Sequence, residues 1–283
     1  MKCFTVDLYE YFKVQKPHGA RANLCCYVKD NSEEINLNRK NPAMLIIPGG
    51  GYGMVSDREG EPVALNFLSR GFCCFVLTYS VAPIRFPYQL VEAVMAMAYI
   101  RKNAKELLID ENMIASVGFS AGGHLCGMLG SISDCEDVKA IFSADVPVAP
   151  NAIILSYAVI KDKDKAHQGS FDNLCGDDDE LKEKLNVAKL VNKNSAPAFI
   201  WATRADTVVP VKNSLVIADA YENVGVPFSI HVWGKGEHGL SVADKTVYGG
   251  HAWRVLDEKT KSVNLWLDLA EEWLAEMGIA IQE

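Results

Sequence analysis

The chain has 283 residues, of which 49% are hydrophobic and 23% are charged. This ordinary globular composition provides enough apolar material for one large core, so we expect residues 1–283 to form a single domain. The formal net charge of −8 opposes association with polyanions. We therefore expect a small or uncharged partner, and we expect neither nucleic acid nor an anionic membrane surface.

Targeting and metal-binding signals are missing from the sequence. Residues 1–11 lack the basic-then-apolar pattern of a secretory signal, and no segment reaches the roughly 18 apolar residues of a membrane span. We therefore expect a cytoplasmic protein. The eight cysteines show no C-x-x-C spacing with partner histidines, so neither a disulfide framework, a metal site nor a cofactor is predicted. The sequence leaves the oligomeric state open.

Taken in chain order, the apolar pattern predicts a mixed α/β fold. The segment before residue 43 indicates an antiparallel start with a strand at 24–29. Beyond it, short apolar runs alternate with amphipathic stretches, which is typical of strands and crossover helices in a mostly parallel sheet. The predicted strands are 44–47, 73–78, 114–118, 152–157, 198–203 and 228–233. The predicted helices are 61–69, 87–105, 122–131, 180–190, 211–224 and 259–277.

The strongest local signal is G-F-S-A-G at 118–122, which joins a predicted strand to a predicted helix. Its glycines permit a sharp turn with no side chains beside the serine. Such a turn lifts the hydroxyl above the edge of the sheet. Ser120 is therefore the predicted nucleophile.

A glycine run at 48–53, P-G-G-G-Y-G, follows the predicted strand 44–47. Its backbone amides are candidate donors to an oxyanion. We expect the amide of Ala121 to act with that of Gly51 and either Gly50 or Tyr52. A phosphate-binding loop is the alternative, but it would need a Lys-Ser/Thr ending or a G-x-G-x-x-G run that opens a helix. Neither pattern is present.

An acid and a base follow the serine in chain order. Asp206 comes shortly after the predicted strand 198–203, and His238 shortly after 228–233. The carboxyl ends of parallel strands lie along one edge of a sheet, so both residues can reach Ser120. A lone aspartate there is usually a helix cap, and a lone histidine a surface residue. Their order and placement favour a triad, with His238 as general base and Asp206 orienting it.

A family resemblance rests on these motifs together with four others. The four are R-E-G-E-P at 58–62, Y-S-V-A-P at 79–83, H-Q-G-S-F at 167–171 and E-H-G-L at 237–240. The chain resembles the esterase/lipase branch of the α/β hydrolases, and within it the small esterases commonly named acetyl xylan esterases, over about residues 44–244. The resemblance implies the α/β-hydrolase fold, with a mostly parallel central sheet of about eight strands, helices on both faces and a short cap at 161–194. It also implies the same triad and oxyanion hole.

The substrate class comes from the same resemblance. It implies short-chain, acetyl esters, such as O-acetyl groups on sugars or xylo-oligosaccharides. Many lipase-like relatives have histidine where this chain has Pro48, so the chain departs from the hormone-sensitive-lipase-like subgroup and the expectation of long acyl chains does not carry over from it. His167 in the cap segment and Trp253 beyond the histidine are candidate pocket residues.

Three further side chains receive structural interpretations. His124, inside the helix that follows the serine, is expected to be a packed or hydrogen-bonded residue rather than a second base. Arg58 and Glu61 are expected to clamp the glycine run through an ion pair.

Two other functions remain as alternatives to an ester hydrolase. A peptidase or amidase would use the same triad, although prolyl-peptidase relatives carry a large extra domain for which this chain has no room. A non-catalytic binding protein of the same fold usually loses a triad member, and this sequence keeps all three. A nucleotide-binding function is not supported, because no G-x-G-x-x-G run with a suitably spaced acidic residue occurs.

Overall fold

The computed structural model describes residues 1–161, 167–248 and 258–281. The strands are β1 (Lys2–Asp7), β2 (Asn23–Val28), β3 (Asn41–Ile47), β4 (Cys73–Thr78), β5 (Ile109–Phe119), β6 (Ala152–Ser156), β7 (Ala198–Thr203) and β8 (Phe228–Trp233). The helices are α1 (Leu8–Phe12), α2 (Glu61–Ser69), α3 (Tyr88–Lys102), α4 (Ala121–Ile132), α5 (Glu136–Lys139), α6 (Gln168–Cys175), α7 (Asp179–Lys184), α8 (Val187–Leu190), α9 (Lys212–Val224) and α10 (Trp266–Glu276). Segments Asp57–Glu59 and Glu258–Leu265 are 3₁₀ turns.

Within these ranges the strands form one eight-stranded sheet in the order β1-β2-β4-β3-β5-β6-β7-β8. Strand β2 is antiparallel to both of its neighbours, β1 and β4. All pairings from β4 to β8 are parallel. The predicted antiparallel start and mostly parallel sheet are therefore confirmed. The carboxyl ends of β3, β5, β7 and β8 all lie along one edge.

Helices cover both faces of the sheet, which explains why its central strands read as continuous apolar runs. Every residue of β3 is buried. Successive side chains point to opposite faces. Met44 and Ile46 belong to the core under α2 and α10, whereas Leu45 and Ile47 belong to the core under α3, α4 and α9. No helix of the described ranges has both the length and the apolar character needed to cross a bilayer.

Two predicted helices differ from the structure. The single helix expected at 180–190 is wrong, because α7 and α8 are separate. Asn186 interrupts the chain between them and caps α8 by accepting the amide hydrogen of Ala188, a local bond that competes with helix continuation. The helix expected at 259–277 is α-helical only from Trp266, since a 3₁₀ turn precedes it. Ser262, Val263 and Asn264 in that turn have low helix propensity.

The elements β1 and α1 were missed by the sequence pattern. Asp7 ends β1 and caps α1, and its side chain accepts hydrogen bonds from the amides of Tyr9 and Glu10. An aspartate cap is a sequence-readable helix start. The helix is only one turn long, so its periodicity carries no signal.

Candidate active site

Ser120 lies at the sharp bend between β5 and α4. Its φ of 52° is in the left-handed region, which a non-glycine residue adopts only when the surroundings impose it. The flanking glycines make the bend possible. A Cβ at Gly122 would lie 2.2 Å from the carbonyl oxygen of Ile47, and one at Gly118 would lie 2.3 Å from that of Gly122. No larger residue fits at either position without movement of the backbone.

The structure brings Ser120, Asp206 and His238 together. His238 Nε2 lies 2.9 Å from Ser120 Oγ, and His238 Nδ1 lies 2.6 Å from Asp206 Oδ2. Because a carboxylate only accepts, Nδ1 carries the hydrogen in this bond. Nε2 then has a free lone pair, so the Ser120 hydroxyl donates to it.

Asp206 is held firmly in this orientation. Its other oxygen, Oδ1, accepts the amide hydrogens of Val208 and Val209 at 2.8 Å each. The Asp206 side chain is 1% exposed, whereas that of His238 is 18% exposed. Asp206 therefore both caps the turn after β7 and orients the imidazole.

The glycine loop, residues 48–53, borders the same cavity as Ser120. Gly50 and Gly51 line that cavity and have φ values of 124° and 64°, which favour glycine. Within the described part of the chain, the amides of Gly50, Gly51 and Ala121 donate to no protein acceptor. The Ala121 amide is one of the unpaired amides that begin a helix. These three amides are therefore unpaired in the described structure, and those of Gly50 and Gly51 belong to residues that line the cavity.

Tyr52 supports the loop from inside the core. Its hydroxyl donates to His124 Nδ1 at 2.8 Å, and its carbonyl accepts from the Ala82 amide. His124 Nε2 donates to the carbonyl of Leu185 at 2.8 Å. Burial lowers the pKa of His124 to about 4, so this ring stays neutral. His124 is thus a hydrogen-bonded structural residue, as the sequence predicted.

A cavity of about 380 Å³ opens beside Ser120 and His238. His167, a predicted pocket residue, lines it, and its Nδ1 lies 2.9 Å from the hydroxyl oxygen of Ser170. Burial lowers the pKa of His167, and the neighbouring His238 lowers it further. The other predicted pocket residue, Trp253, lies outside the described residues.

Glu59 is a residue of the site that the sequence did not predict. This buried side chain accepts the amide hydrogen of Gly49, whereas the predicted clamp of the glycine loop by Arg58 and Glu61 is wrong. Arg58 instead donates to the carbonyl of Gly239 at 2.8 Å. The sequence holds two acids close together in R-E-G-E, and no pattern there indicates which one turns inward. The described residues contain no cluster of three or more acidic, histidine or cysteine side chains able to hold a metal ion.

Comparison with known proteins gives consistent matches. The BD-FAE family model matches residues 33–221. The chain is 36% identical over 247 residues to endo-1,4-beta-xylanase B of Butyrivibrio fibrisolvens, a match that covers 84% of this chain and 38% of that protein. It is 27% identical over 238 residues to an acetylxylan esterase of Xylanibacter ruminicola, covering 81% of this chain and 46% of that protein. The chain therefore spans less than half the length of these relatives.

A solved structure matches along nearly the whole chain. The acetyl ester-xyloside bifunctional hydrolase of Caldicellulosiruptor lactoaceticus superposes with a TM-score of 0.81 and 33% sequence identity. The match covers 98% of this chain and 97% of that one.

Proposed function

The chain belongs to the BD-FAE family of α/β hydrolases, and from that membership and the geometry of the site we propose that it is a serine ester hydrolase acting on short-chain esters. The observation that carries the proposal is the pair of hydrogen bonds that joins Ser120, His238 and Asp206 in line. This arrangement activates a serine hydroxyl as a nucleophile.

In the first half of the reaction, Ser120 Oγ attacks the ester carbonyl carbon and its proton passes to His238 Nε2. A bond forms between Oγ and the carbon, and the carbonyl oxygen becomes an oxyanion. Asp206 stabilises the resulting imidazolium and keeps the ring in place. The tetrahedral intermediate then collapses, the bond to the alcohol oxygen breaks, and His238 returns the proton to that oxygen.

In the second half, water takes the place of the alcohol. His238 accepts a proton from the water as its oxygen attacks the acyl-enzyme. The bond to Ser120 Oγ breaks, and the same proton restores the serine hydroxyl. A free carboxylic acid leaves, and the site returns to its starting state.

The oxyanion is assigned to backbone amides. The amides of Ala121, Gly51 and Gly50 have no protein acceptor in the described ranges, and neither does that of Tyr52, the alternative donor to Gly50. The two glycines also share the cavity with the nucleophile. Donors that are already oriented stabilise developing charge without reorganisation, and removal of one such donor costs about 10²- to 10³-fold in kcat.

A short acyl group fits the lining of this cavity. Among the described residues that line it, Met54 and Val208 are the only large apolar side chains. Each buried methylene of a long acyl chain gains about 0.8 kcal/mol only where apolar surface is available to cover it. A cavity with two such side chains therefore favours acetyl over long acyl groups.

An acetylated carbohydrate is the proposed alcohol component. Two of the matched proteins carry xylan in their names and the matched structure carries xyloside, and the surroundings of the site are suitable for a sugar. A second cavity of about 520 Å³ shares Ser56 and Arg58 with the first. Tyr27, Asp57 and Thr78 in its lining provide an aromatic ring and polar groups for a polyol.

Hydrolysis rates on a matched set of esters test this proposal. The kcat/KM for p-nitrophenyl acetate is expected to exceed that for p-nitrophenyl decanoate by at least about tenfold, because the described lining of the cavity has only two large apolar side chains to cover a long acyl chain. Acetate release from acetylated xylo-oligosaccharides is expected to have a higher kcat/KM than release from acetylated simple alcohols. The corresponding anilide serves as control for amidase activity and is expected to react far more slowly. Equal rates on acetyl and decanoyl esters would contradict the short-acyl assignment.

A further inference from the structure

Glu59 is a buried residue at the border of the cavity that Ser120 and His238 line. It ends the 3₁₀ turn Asp57–Glu59 and is 3% exposed. Its Oε2 accepts the amide hydrogen of Gly49 at 2.8 Å, and its Oε1 accepts the hydroxyl hydrogen of Tyr157 at 2.7 Å. One carboxylate thus satisfies two buried donors from different parts of the chain.

Tyr157 carries this connection on to the His238 loop, defined as residues 234–241. Its phenolic oxygen accepts the amide hydrogen of Ser241 at 2.9 Å. Burial, reinforced by the neighbouring Glu59, raises the pKa of Tyr157 well above its usual range. The hydroxyl therefore keeps its proton and donates it to Glu59 while its oxygen receives the amide of Ser241.

Arg58, the preceding residue, binds the same loop twice. Its Nη1 donates to the carbonyl of Gly239 at 2.8 Å, and its own carbonyl accepts the Ser241 hydroxyl at 2.6 Å. The turn Asp57–Glu59 is therefore attached to the glycine loop on one side and to the His238 loop on the other.

The two residues bonded to Glu59, Gly49 and Tyr157, lie close to the reacting groups. A Cβ at Gly49 would lie 2.8 Å from Glu59 Oε2 and 3.0 Å from Ser120 Cβ, so the glycine loop packs directly between them. The Tyr157 ring meets the His238 ring edge to face, with centroids 5.1 Å apart. Movement of the Glu59 carboxylate would therefore displace the Gly49 peptide and the Tyr157 ring.

We propose that Glu59 is a positioning residue that fixes the glycine loop and the His238 loop relative to each other. The distance between the oxyanion amides and the imidazole then stays constant during the reaction. The inference rests on the proposed function. Glu59 also borders the cavity of Ser120, but the proposed role does not require it to touch the substrate. It acts through the Gly49 peptide, which orients the following amides, and through Tyr157, which supports the histidine. Catalytic groups held to well under an ångström need such support from their neighbours.

The substitution Glu59→Gln tests the role with little change of shape. Glutamine has one acceptor oxygen and one amide nitrogen, so it satisfies either the Gly49 amide or the Tyr157 hydroxyl but not both. On p-nitrophenyl acetate we expect kcat to fall by on the order of 10- to 100-fold. KM is expected to stay within about threefold, because the loss concerns the transition state and not substrate binding.

Tyr157→Phe provides a second variant in case the first folds poorly. It keeps the ring against His238 and removes only the hydroxyl, so the same drop in kcat is expected. Glu59→Gln combined with Tyr157→Phe is expected to cost less than the two single losses multiplied together, because both break one network. The matched control is Tyr221→Phe, which deletes a buried hydroxyl bonded to the carbonyl of Ala196 in another part of the fold. Its kcat is expected to match that of the wild type.

The possible outcomes distinguish a failure of this inference from a failure of the proposed function. Lower kcat with unchanged KM in Glu59→Gln and Tyr157→Phe, but not in Tyr221→Phe, supports the positioning role. If the wild type is active and both variants lose thermal stability as Tyr221→Phe does but keep the wild-type kcat, the inference is overturned. The proposed function then stands. A wild type that hydrolyses no ester overturns both.

Discussion

Replacement of Ser120 by alanine is expected to lower kcat on p-nitrophenyl acetate by at least about 10⁴-fold. The variant keeps the Cβ and the backbone of the bend, and loses only the oxygen that attacks the carbonyl. In the described part of the chain that oxygen bonds to His238 alone, so the fold does not depend on it. Steady-state kinetics together with a thermal melt provide the measurement.

The control for this variant is Ser116→Ala in the same strand. Ser116 is fully buried, and its hydroxyl donates to the carbonyl of Leu45 at 3.1 Å. Loss of that hydrogen bond is expected to cost about 1 kcal/mol of stability while kcat stays within about twofold of the wild type. Retention of more than about one hundredth of the wild-type kcat by Ser120→Ala would remove this serine from the mechanism.

Asp206→Asn is expected to lower kcat by about 10⁴-fold at neutral pH, although it changes only one atom. The carbonyl oxygen of the substituted side chain remains with the amides of Val208 and Val209, since they need an acceptor. The amide nitrogen of that side chain then faces His238 Nδ1 and donates to it. This fixes the imidazole with its hydrogen on Nε2, where it cannot accept the serine proton.

A matched aspartate tests whether the effect is specific. Asp244 also closes a turn, with its side chain accepting the amide of Thr246, and it has no histidine partner among the described residues. Asp244→Asn is expected to keep kcat within about twofold of the wild type. Wild-type kcat in Asp206→Asn, measured beside this control, would show that the tautomer of His238 does not limit the reaction.

The arrangement of the site was largely readable from the sequence because each part follows a strand of the parallel sheet. The strands β3, β5 and β7 are buried where they approach the site and appear as apolar runs, whereas the edge strand β8 is only partly buried. The shared carboxyl edge of these strands brings Ser120, Asp206 and His238 together whatever the distance between them along the chain. The glycine pattern marked the bend at Ser120 and the glycine loop, since both need close approach of the backbone. The predicted α/β-hydrolase architecture was confirmed for the same reasons.

The residues behind the site were not readable in this way. Glu59 lies in a single 3₁₀ turn, where no apolar periodicity indicates which acid points inward, and the inference from charge alone selected Glu61. Tyr157 follows a core strand and resembles any buried aromatic residue. Its partners at Glu59 and Ser241 are set by packing between distant segments. Likewise, the break at Asn186 depends on a local side-chain cap that outweighs the helical pattern on either side.

The proposed mechanism requires Ser120 to be the attacking group, and labelling of the active site can identify that group. The wild type would be treated with a p-nitrophenyl phosphonate, which mimics the tetrahedral intermediate, and digested for mass spectrometry while residual ester hydrolysis is followed. We expect one covalent adduct, on Ser120, that forms in proportion to the loss of activity. Full inactivation with the adduct on another residue, or full labelling of Ser120 with activity retained, would contradict the proposed mechanism.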